Sequence, residues 1–201
     1  MIGVHKWRKF EAVVIGGSSG AIDAIRTLVS HLPGEFPVPV ICVLHLHPHS
    51  QNESMIQLLS GHGSLKVLEA EHRMQIKAGR MYLAPPNYHL LVEPGELTLS
   101  LNVDEKVNMS RPSIDVLFES AADAYGDRLI GIMLSGASHD GAAGLQRIKE
   151  QGGITIVQDP ETAQAPIMPK AAMVAGRVDF VLPVAEIAEL LLLKCPGGKK
   201  A

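Results

Sequence analysis

The sequence is poor in the residues that mark disulfide-rich, membrane-spanning or nucleic-acid-binding proteins. It contains only two cysteines, Cys42 and Cys195, which are too few for a disulfide framework or a cysteine metal cluster. No run of about 18 apolar residues occurs, so a membrane-spanning helix is not expected. The net charge of -3 gives no broad basic surface for nucleic acid or for an anionic membrane. We therefore expect both cysteines to be free thiols in a soluble protein.

The chain does have enough apolar sequence for one substantial core. Its 201 residues are 46% hydrophobic and 19% charged, which is typical of one compact domain. The first ten residues carry Lys6, Arg8 and Lys9, but no apolar segment follows them, so they do not resemble a secretion signal. We expect a cytoplasmic location.

Strand-like and helix-like segments alternate along the chain. Short runs rich in Val, Ile and Leu, which are typical of buried parallel strands, occur at residues 12–16, 37–44, 65–70, 79–84, 129–134, 153–158 and 179–182. Segments with apolar residues at helical spacing occur at residues 21–32, 54–60, 113–125, 142–151, 169–175 and 184–194. Residues 89–92 and 97–101 instead predict an antiparallel hairpin. The order predicts an α/β fold: a doubly wound, mostly parallel sheet with helices on both faces and an antiparallel hairpin at an edge.

A glycine-rich corner follows the first predicted strand. Residues 16–20 read Gly-Gly-Ser-Ser-Gly, which fits the G-x-S-x-G elbow, where small neighbours let the backbone present one hydroxyl above a strand end. Ser18 is then the candidate nucleophile. Two other interpretations fit the same residues: Ser18 or Ser19 would be the N-cap of the following helix, or the loop amides would bind a phosphate group.

Two further polar residues follow predicted parallel strands. His45 comes after residues 37–44, and Asp140 lies in a second glycine-rich corner after residues 129–134. In a doubly wound sheet, catalytic groups gather at the carboxyl ends of the strands. A hydroxyl, an imidazole and a carboxylate are the three groups of nucleophilic acyl transfer, so Ser18, His45 and Asp140 are candidate catalytic residues.

His45 and Asp140 also have alternative interpretations. His45 would be a hydrogen-bonded histidine at a strand end, or a metal ligand together with His47 and His49, although no carboxylate or cysteine cluster accompanies the three histidines. Asp140 would be the N-cap of the helix predicted at residues 142–151. The sequence does not separate capping from a catalytic role at this position.

The order of Ser, His and Asp along the chain differs from that of the α/β-hydrolases and of the chymotrypsin and subtilisin types. It occurs together with five motifs: Gly-Gly-Ser-Ser-Gly-Ala at residues 16–21, Leu-His at 44–45, Tyr-Leu-Ala-Pro at 82–85, Arg-Pro-Ser-Ile-Asp-Val-Leu-Phe at 111–118 and Leu-Ser-Gly-Ala-Ser-His-Asp-Gly-Ala-Ala-Gly at 134–144. With these motifs the chain resembles, over residues 11–194, the catalytic domain of the bacterial chemotaxis protein-glutamate methylesterases (CheB type).

The resemblance implies a function for these residues. Members of this family hydrolyse γ-carboxyl methyl esters on glutamates of receptor cytoplasmic helices, and many deamidate glutamines there. By the resemblance, Ser18, His45 and Asp140 take the places of nucleophile, base and orienting acid, with no cofactor and no metal. The candidates for the oxyanion or substrate site are Ser19, Ala137, His139 and Arg111.

Two positions depart from the usual pattern of the family. Ala137 stands where the family usually has Met, and His139 stands where it usually has Asn. A backbone N–H donor survives a change of side chain, so we still expect activity, with a different shape of the substrate-facing surface.

The resemblance also predicts the domain organisation. We expect residues 1–10 to form an N-terminal extension, residues 11–194 the methylesterase catalytic domain and residues 195–201 a flexible tail. The receiver domain that normally regulates this family is not expected, which predicts a stand-alone member or a piece of a longer protein. The expected partners are methylated receptor helices, with no nucleic acid and no membrane insertion.

Two other functions compete with the esterase. One is a catalytically silent module of the same fold that binds receptor helices. The other is a nucleotide- or phosphate-binding α/β domain with residues 16–20 as its cradle. A dinucleotide fingerprint would require glycine in place of Ser18 and an acidic residue near Leu44 and His45, so this second alternative fits poorly.

Overall fold

A computed structural model of the chain describes residues 9–45 and 52–197. The nine strands within these residues, β1 to β9, are Ala12–Gly17, Val40–Leu44, Lys66–Glu69, Arg80–Leu83, His89–Glu93, Thr98–Asn102, Leu129–Met133, Ile154–Gln158 and Phe180–Leu182. The six α-helices, α1 to α6, are Ala21–His31, Asn52–Ser60, Ile114–Tyr125, Ala142–Glu150, Ile167–Ala175 and Val184–Lys194. The predicted alternation of strands and helices is confirmed, with bounds that differ by a few residues.

Seven of the strands form one parallel sheet in the order β3-β4-β2-β1-β7-β8-β9. The strands β1, β2 and β7 at its centre are buried along their whole length, because helices cover both faces of the sheet. The chain extends the sheet from β1 first through β2 and later through β7, so the winding direction reverses between β1 and β7. Ligand sites of open α/β sheets lie at such a switch point, outside the carboxyl ends of the strands.

A hydrophobic layer lies on each face of the sheet. Alternate residues of β1 belong to different layers: Val13 and Ile15 pack with α1 and α6, whereas Ala12 and Val14 pack with α3, α4 and α5. The alternation follows from the two-residue period of a strand. The doubly wound α/β fold is therefore confirmed.

The antiparallel hairpin forms a sheet of its own. β5 and β6 pair with each other, and β5 packs on α3, where the Val92 N–H donates to Ser120 Oγ (3.2 Å). The apolar side chains Leu90, Val92 and Leu99 belong to the same core layer as α3. Because these side chains cover that helix, the hairpin lies against α3 and does not add strands to an edge of the main sheet.

Helix α5 begins two residues earlier than the sequence predicts. The sequence places its start at Pro169, whereas the helix starts at Ile167 with Pro166 as its N-cap. Pro169 is tolerated in the first turn because the first N–H groups of a helix have no intrahelical acceptor. The earlier start places Met168 in the helix, where its side chain is buried.

Both cysteines are free, as predicted, and the structure also shows both to be buried. Burial raises the pKa of Cys195 to about 11 and raises the pKa of Cys42 as well, so neither thiol is a reactive thiolate at neutral pH. None of the helices in the described part of the chain has the length and apolar character needed to span a bilayer. The predicted N-terminal extension and C-terminal tail lie largely outside the described residues.

Candidate active site

Two of the predicted catalytic residues lie side by side at the carboxyl edge of the sheet. Ser18 and His45 directly follow Gly17 and Leu44, which are paired residues of the adjacent strands β1 and β2. The His45 N–H continues the pairing by donating to the Gly17 carbonyl (3.1 Å). Neighbouring strands are about 4.8 Å apart, so this register brings the hydroxyl-bearing and imidazole-bearing residues together. Both residues are half-buried.

The backbone around Ser18 is held by the loop that follows β7. The Ser18 N–H donates to the Ser135 carbonyl (2.9 Å), and the Ser135 hydroxyl donates to the Ser19 carbonyl (2.7 Å). The N-cap of α1 is Gly20, which has a φ of 79° and makes no side-chain cap hydrogen bond. The interpretation of Ser18 or Ser19 as the N-cap is therefore wrong, because the chain enters α1 through a left-handed conformation that glycine adopts readily.

Asp140, the third predicted catalytic residue, is surrounded by hydrogen-bond donors. Among the described residues, the groups in hydrogen-bond range of its carboxylate are Asn108 Nδ2 (2.8 Å), Ser113 Oγ (2.8 Å) and Asp115 N (3.3 Å) at Oδ1, and Ile114 N (2.6 Å) and His45 Nε2 (2.8 Å) at Oδ2. Burial opposes ionisation of this carboxyl, but the hydrogen bonds, with that of His45 first, outweigh it and hold the pKa of Asp140 below its ordinary value. Asp140 is therefore ionised at neutral pH.

Asp140 caps a helix, but not the one that the sequence suggests. The N-cap of α4 is Gly141, and it makes no side-chain cap hydrogen bond. The Asp140 carboxylate instead accepts the N–H groups of Ile114 and Asp115 in the first turn of α3. The interpretation of Asp140 as the cap of its own helix is therefore wrong, and the positive end of α3 stabilises the negative charge.

The contact between Asp140 and His45 determines which ring nitrogen of the neutral imidazole carries the proton. An ionised carboxylate can only accept hydrogen bonds, so His45 Nε2 carries the proton and donates to Asp140 Oδ2 (2.8 Å). In the neutral imidazole, Nδ1 is then the unprotonated nitrogen that can accept a proton from Ser18. This assignment is the reverse of the trypsin template, in which the aspartate binds Nδ1 and Nε2 faces the serine.

Ser19 and Ala137 offer backbone donors near Ser18. The Ser18 N–H is already bonded to Ser135, whereas neither the Ser19 N–H nor the Ala137 N–H donates to another protein group within the described residues. Both residues are exposed. These two N–H groups can therefore donate to a substrate oxygen on which negative charge develops.

Gly136, which was not among the predicted site residues, allows α5 to approach Ser18. A Cβ atom at this position would lie 1.8 Å from Met168 Sδ and 3.0 Å from Ser18 Cβ. The Gly136 N–H donates to the Ala165 carbonyl (2.9 Å), and its own carbonyl accepts the Met168 N–H (2.9 Å). A glycine at the end of a buried strand is the signal of such a close approach, and here it accommodates both neighbours.

Asn108, which was not a predicted site residue, and Asp115 complete the polar network. Asn108 Nδ2 donates to Asp115 Oδ2 (2.7 Å) as well as to Asp140 Oδ1 (2.8 Å). Asp115 Oδ1 accepts the Gly144 N–H (2.6 Å). Burial raises the pKa of Asp115, the Gly144 N–H lowers it, and the charge of Asp140 adds to the rise. It is thus Asp140, and not Asp115, that contacts His45.

Arg111 and His139 line two different cavities. Arg111 Nη1 donates to the carbonyls of Val103 (2.7 Å) and Asp104 (2.9 Å), and its side chain lines a cavity of about 170 Å³ together with His45. His139 is exposed and lines a cavity of about 510 Å³ between the start of α4 and α5, where the other lining residues are apolar except for a lysine. Arg111 therefore holds the loop before α3, and His139 lies on the surface beside Asp140.

A metal centre is not formed by the residues that the structure describes. In residues 9–45 and 52–197, no group of three His, Cys, Asp or Glu side chains could hold a metal ion. His47 and His49, which belong to the metal alternative for His45, lie outside those residues. That alternative therefore stays a hypothesis.

Comparisons with known proteins agree on one family. The family model described as CheB methylesterase matches residues 13–191. A protein of Leptospira interrogans, whose name gives the activities protein-glutamate methylesterase and protein-glutamine glutaminase, is 48% identical over 183 residues, or 91% of this chain and 94% of that protein. The protein-glutamate methylesterase/protein-glutamine glutaminase of Archaeoglobus fulgidus is 37% identical over 179 residues, and the match spans 88% of this chain but only 51% of that protein.

The solved structures include a neighbour with the same fold. The crystal structure of the Thermotoga maritima CheB methylesterase catalytic domain superposes with a TM-score of 0.88 at 33% sequence identity, covering 92% of this chain and 98% of that chain. The family model matches most of the chain, and the strand order and helix layers fit that neighbour. The chain belongs to the CheB methylesterase family.

Proposed function

We propose that this protein is a cytoplasmic serine hydrolase that removes methyl esters from glutamate side chains of chemoreceptor-like proteins and also deamidates glutamines there. Membership of the CheB methylesterase family supports the reaction type, and two relatives carry names that pair both activities. The observation that carries the proposal is the hydrogen bond from His45 Nε2 to the buried Asp140 (2.8 Å), directly beside Ser18. This arrangement supplies a base that is oriented and ready to accept the serine proton.

In the acylation step, Ser18 Oγ attacks the γ-carbonyl carbon of the glutamate methyl ester while His45 Nδ1 takes the hydroxyl proton. Asp140 stabilises the imidazolium that forms and keeps the ring in place through Nε2. The carbonyl oxygen becomes an oxyanion that the Ser19 and Ala137 N–H groups stabilise. Collapse of the tetrahedral intermediate breaks the bond to the methoxy group, which takes the proton from His45 and leaves as methanol.

In the deacylation step, water attacks the glutamyl ester of Ser18. His45 Nδ1 removes a proton from the water and returns it to Ser18 Oγ, and the glutamate carboxylic acid that forms loses its proton to solvent. A glutamine substrate follows the same route, except that the protonated leaving group is ammonia. The methyl ester is the better substrate because methoxide is a better leaving group than an amide anion.

The proposal is tested by release of methanol from a methylated receptor fragment. The parent protein, Ser18→Ala and Ser30→Ala are compared, because Ser30 is an exposed serine on α1 that provides a matched control. We expect Ser18→Ala to lose at least about a thousandfold in rate and Ser30→Ala to retain the parent's rate. Methanol release that Ser18→Ala leaves unchanged would remove Ser18 from the mechanism. A folded parent that releases no methanol and resists labelling by a fluorophosphonate would instead indicate a silent binding module.

A further inference from the structure

The loop between β6 and α3 brings one side-chain amide to two buried carboxylates. Asn108 Nδ2 donates to Asp140 Oδ1 (2.8 Å) and to Asp115 Oδ2 (2.7 Å). The two aspartates are only 1% and 7% exposed, respectively, whereas Asn108 itself lies at the surface. The amide therefore joins the solvent-exposed loop to the carboxylate that contacts His45.

The loop is held on both sides of Asn108. Arg111, which follows Asn108 in the chain, donates from Nη1 to the carbonyls of Val103 and Asp104, which precede it. The buried His89 also bonds to both parts of the loop: it accepts the Ser113 N–H at Nδ1 (3.2 Å), so its Nε2 carries the proton and donates to the Glu105 carbonyl (3.0 Å).

Asn108 itself has a left-handed backbone. Its φ is 51°, a conformation that asparagine adopts more readily than most residues. The backbone of the loop thus sets the position of the amide.

Two carboxylates that share a site disfavour the ionisation of each other. Among the described residues, the titratable groups coupled to Asp140 by a hydrogen bond or by charge are His45 after β2, and Asp115 and Glu119 on α3. Asn108 donates a hydrogen bond to the carboxylates of Asp140 and Asp115 at the same time. Without that donor, Asp140 would lose one of its hydrogen bonds while the charge of Asp115 stayed beside it.

We propose that Asn108 is a positioning residue, which joins Asp115 to Asp140 so that Asp140 stays ionised with its Oδ2 on His45 Nε2. The inference rests on the proposed function, because His45 acts there as the base for Ser18. Asn108 does not need to touch the ester for this role. Loss of the Asn108 amide is expected to change the orientation of the His45 ring and the pH range in which Asp140 is ionised.

The main test is Asn108→Gly, which removes the amide but keeps a residue suited to a positive φ. Turnover of a small ester is measured against pH, because a small ester reports on the catalytic groups without the docking of a receptor helix. We expect kcat to fall by at least about tenfold with KM little changed. We also expect the acid limb of the profile to move to higher pH by about one unit, because an Asp140 carboxylate with one donor fewer favours a bound proton at the site.

Three companion variants sharpen this test. Asn108→Asp replaces the donor with a third carboxylate, and we expect it to move the acid limb further in the same direction. Asp115→Asn in the Asn108→Gly background removes the competing charge, and we expect it to return the limb most of the way to that of the parent. Asn102→Ala changes another asparagine of the same segment, whose Oδ1 accepts the Asp104 N–H (3.3 Å), and we expect the parent's profile.

A second readout keeps the test independent of esterase activity. The NMR signal of the His45 Nε2 proton reports the bond to Asp140. As the pH is lowered, we expect that signal to be lost at a higher pH in Asn108→Gly than in the parent. The parent's profile and signal in both Asn108 variants would overturn the inference, as would an equal loss of kcat at every pH. If the parent hydrolyses no ester but its His45 signal differs from that of Asn108→Gly as expected, the proposed function is overturned and the role of Asn108 is supported.

Discussion

Asp140 and Asp115 are both buried at the start of α3 and share the amide of Asn108, yet their pKa values move in opposite directions. The pKa of Asp140 is lowered, because several hydrogen bonds, with that of His45 first, outweigh the effect of burial. The pKa of Asp115 is raised, because burial and the charge of Asp140 outweigh the hydrogen bonds of the Gly144 N–H and Asn108. Burial is common to both carboxylates, so the number of donors decides in which direction each pKa moves.

The difference separates two roles within one cluster. Asp140 is the carboxylate that contacts His45 and stays charged, as the proposed catalytic triad requires. The Asp115 side chain connects α3 to α4 through the Gly144 N–H, and it acts on Asp140 through its charge and through Asn108. Groups whose pKa values are driven apart by their environments are typical of active sites.

The largest effect is expected for Asp140→Asn. In either orientation, the amide NH₂ of the new side chain would face donors, namely Ile114 N and His45 Nε2 on one side or Asn108 and Ser113 on the other. We expect turnover to fall by at least about a hundredfold, and the free energy of unfolding to fall by about 1–3 kcal/mol because buried donors lose their acceptor. Methanol release and urea unfolding measure the two effects. Near-parental turnover would leave Asp140 with a structural role only.

A smaller effect is expected for the matched variant Asp115→Asn. Its side chain keeps an oxygen for the Gly144 N–H and does not touch His45. We expect turnover to change by less than about tenfold, the equivalent of about 1.4 kcal/mol in the barrier. An equal loss of turnover in Asp115→Asn and Asp140→Asn in the same assay would show that the two carboxylates do not have separate roles.

The stability of the two variants should depend on pH in opposite ways. The lowered pKa of Asp140 contributes stability that is present above its unfolded pKa of about 3.9 and is lost as the pH falls through the folded value. The raised pKa of Asp115 contributes stability that is present below about 3.9 and is lost as the pH rises through the folded value. Relative to the parent, Asp140→Asn should therefore become less stable, and Asp115→Asn more stable, as the pH rises through these windows.

Urea unfolding of the parent and both variants at a series of pH values gives this comparison directly. The midpoint differences from the parent should diverge between the two variants as the pH rises. Differences that stay parallel across the whole range would show that the two carboxylates have the same proton affinity.

The smallest effects are expected at exposed residues beside the carboxylates. Ala137→Met and His139→Asn introduce the side chains that are usual in the family, and both positions are exposed. We expect the free energy of unfolding to change by less than about 0.5 kcal/mol, and kcat on a small ester to stay near that of the parent, because the Ala137 N–H is retained. A large fall in kcat for Ala137→Met would show that the side chain, and not the N–H, decides the oxyanion contact.

The sequence could place Ser18 and His45 because each follows a buried parallel strand, and the strand register then brings them together. It could place Asp140 in the same way, after β7. It could not show that Asp140 caps α3 and not α4, because that depends on how the loop before α3 crosses the sheet edge. Asn108 lies in an irregular segment with no periodicity, 32 positions from Asp140, so no local pattern encodes their contact.

In the proposed mechanism, an ionised Asp140 holds the proton of His45 on Nε2 and leaves Nδ1 to accept the proton of Ser18. The most direct measurement is an NMR spectrum of the protein with ¹⁵N-labelled histidine, in which the His45 signals are assigned by their loss in His45→Gln. At a pH where the imidazole is neutral, we predict a protonated Nε2 and an unprotonated Nδ1, and in Asp140→Asn a loss of this preference. A proton on Nδ1 in the parent would contradict the proposed mechanism, because Nδ1 could then not accept the proton of Ser18.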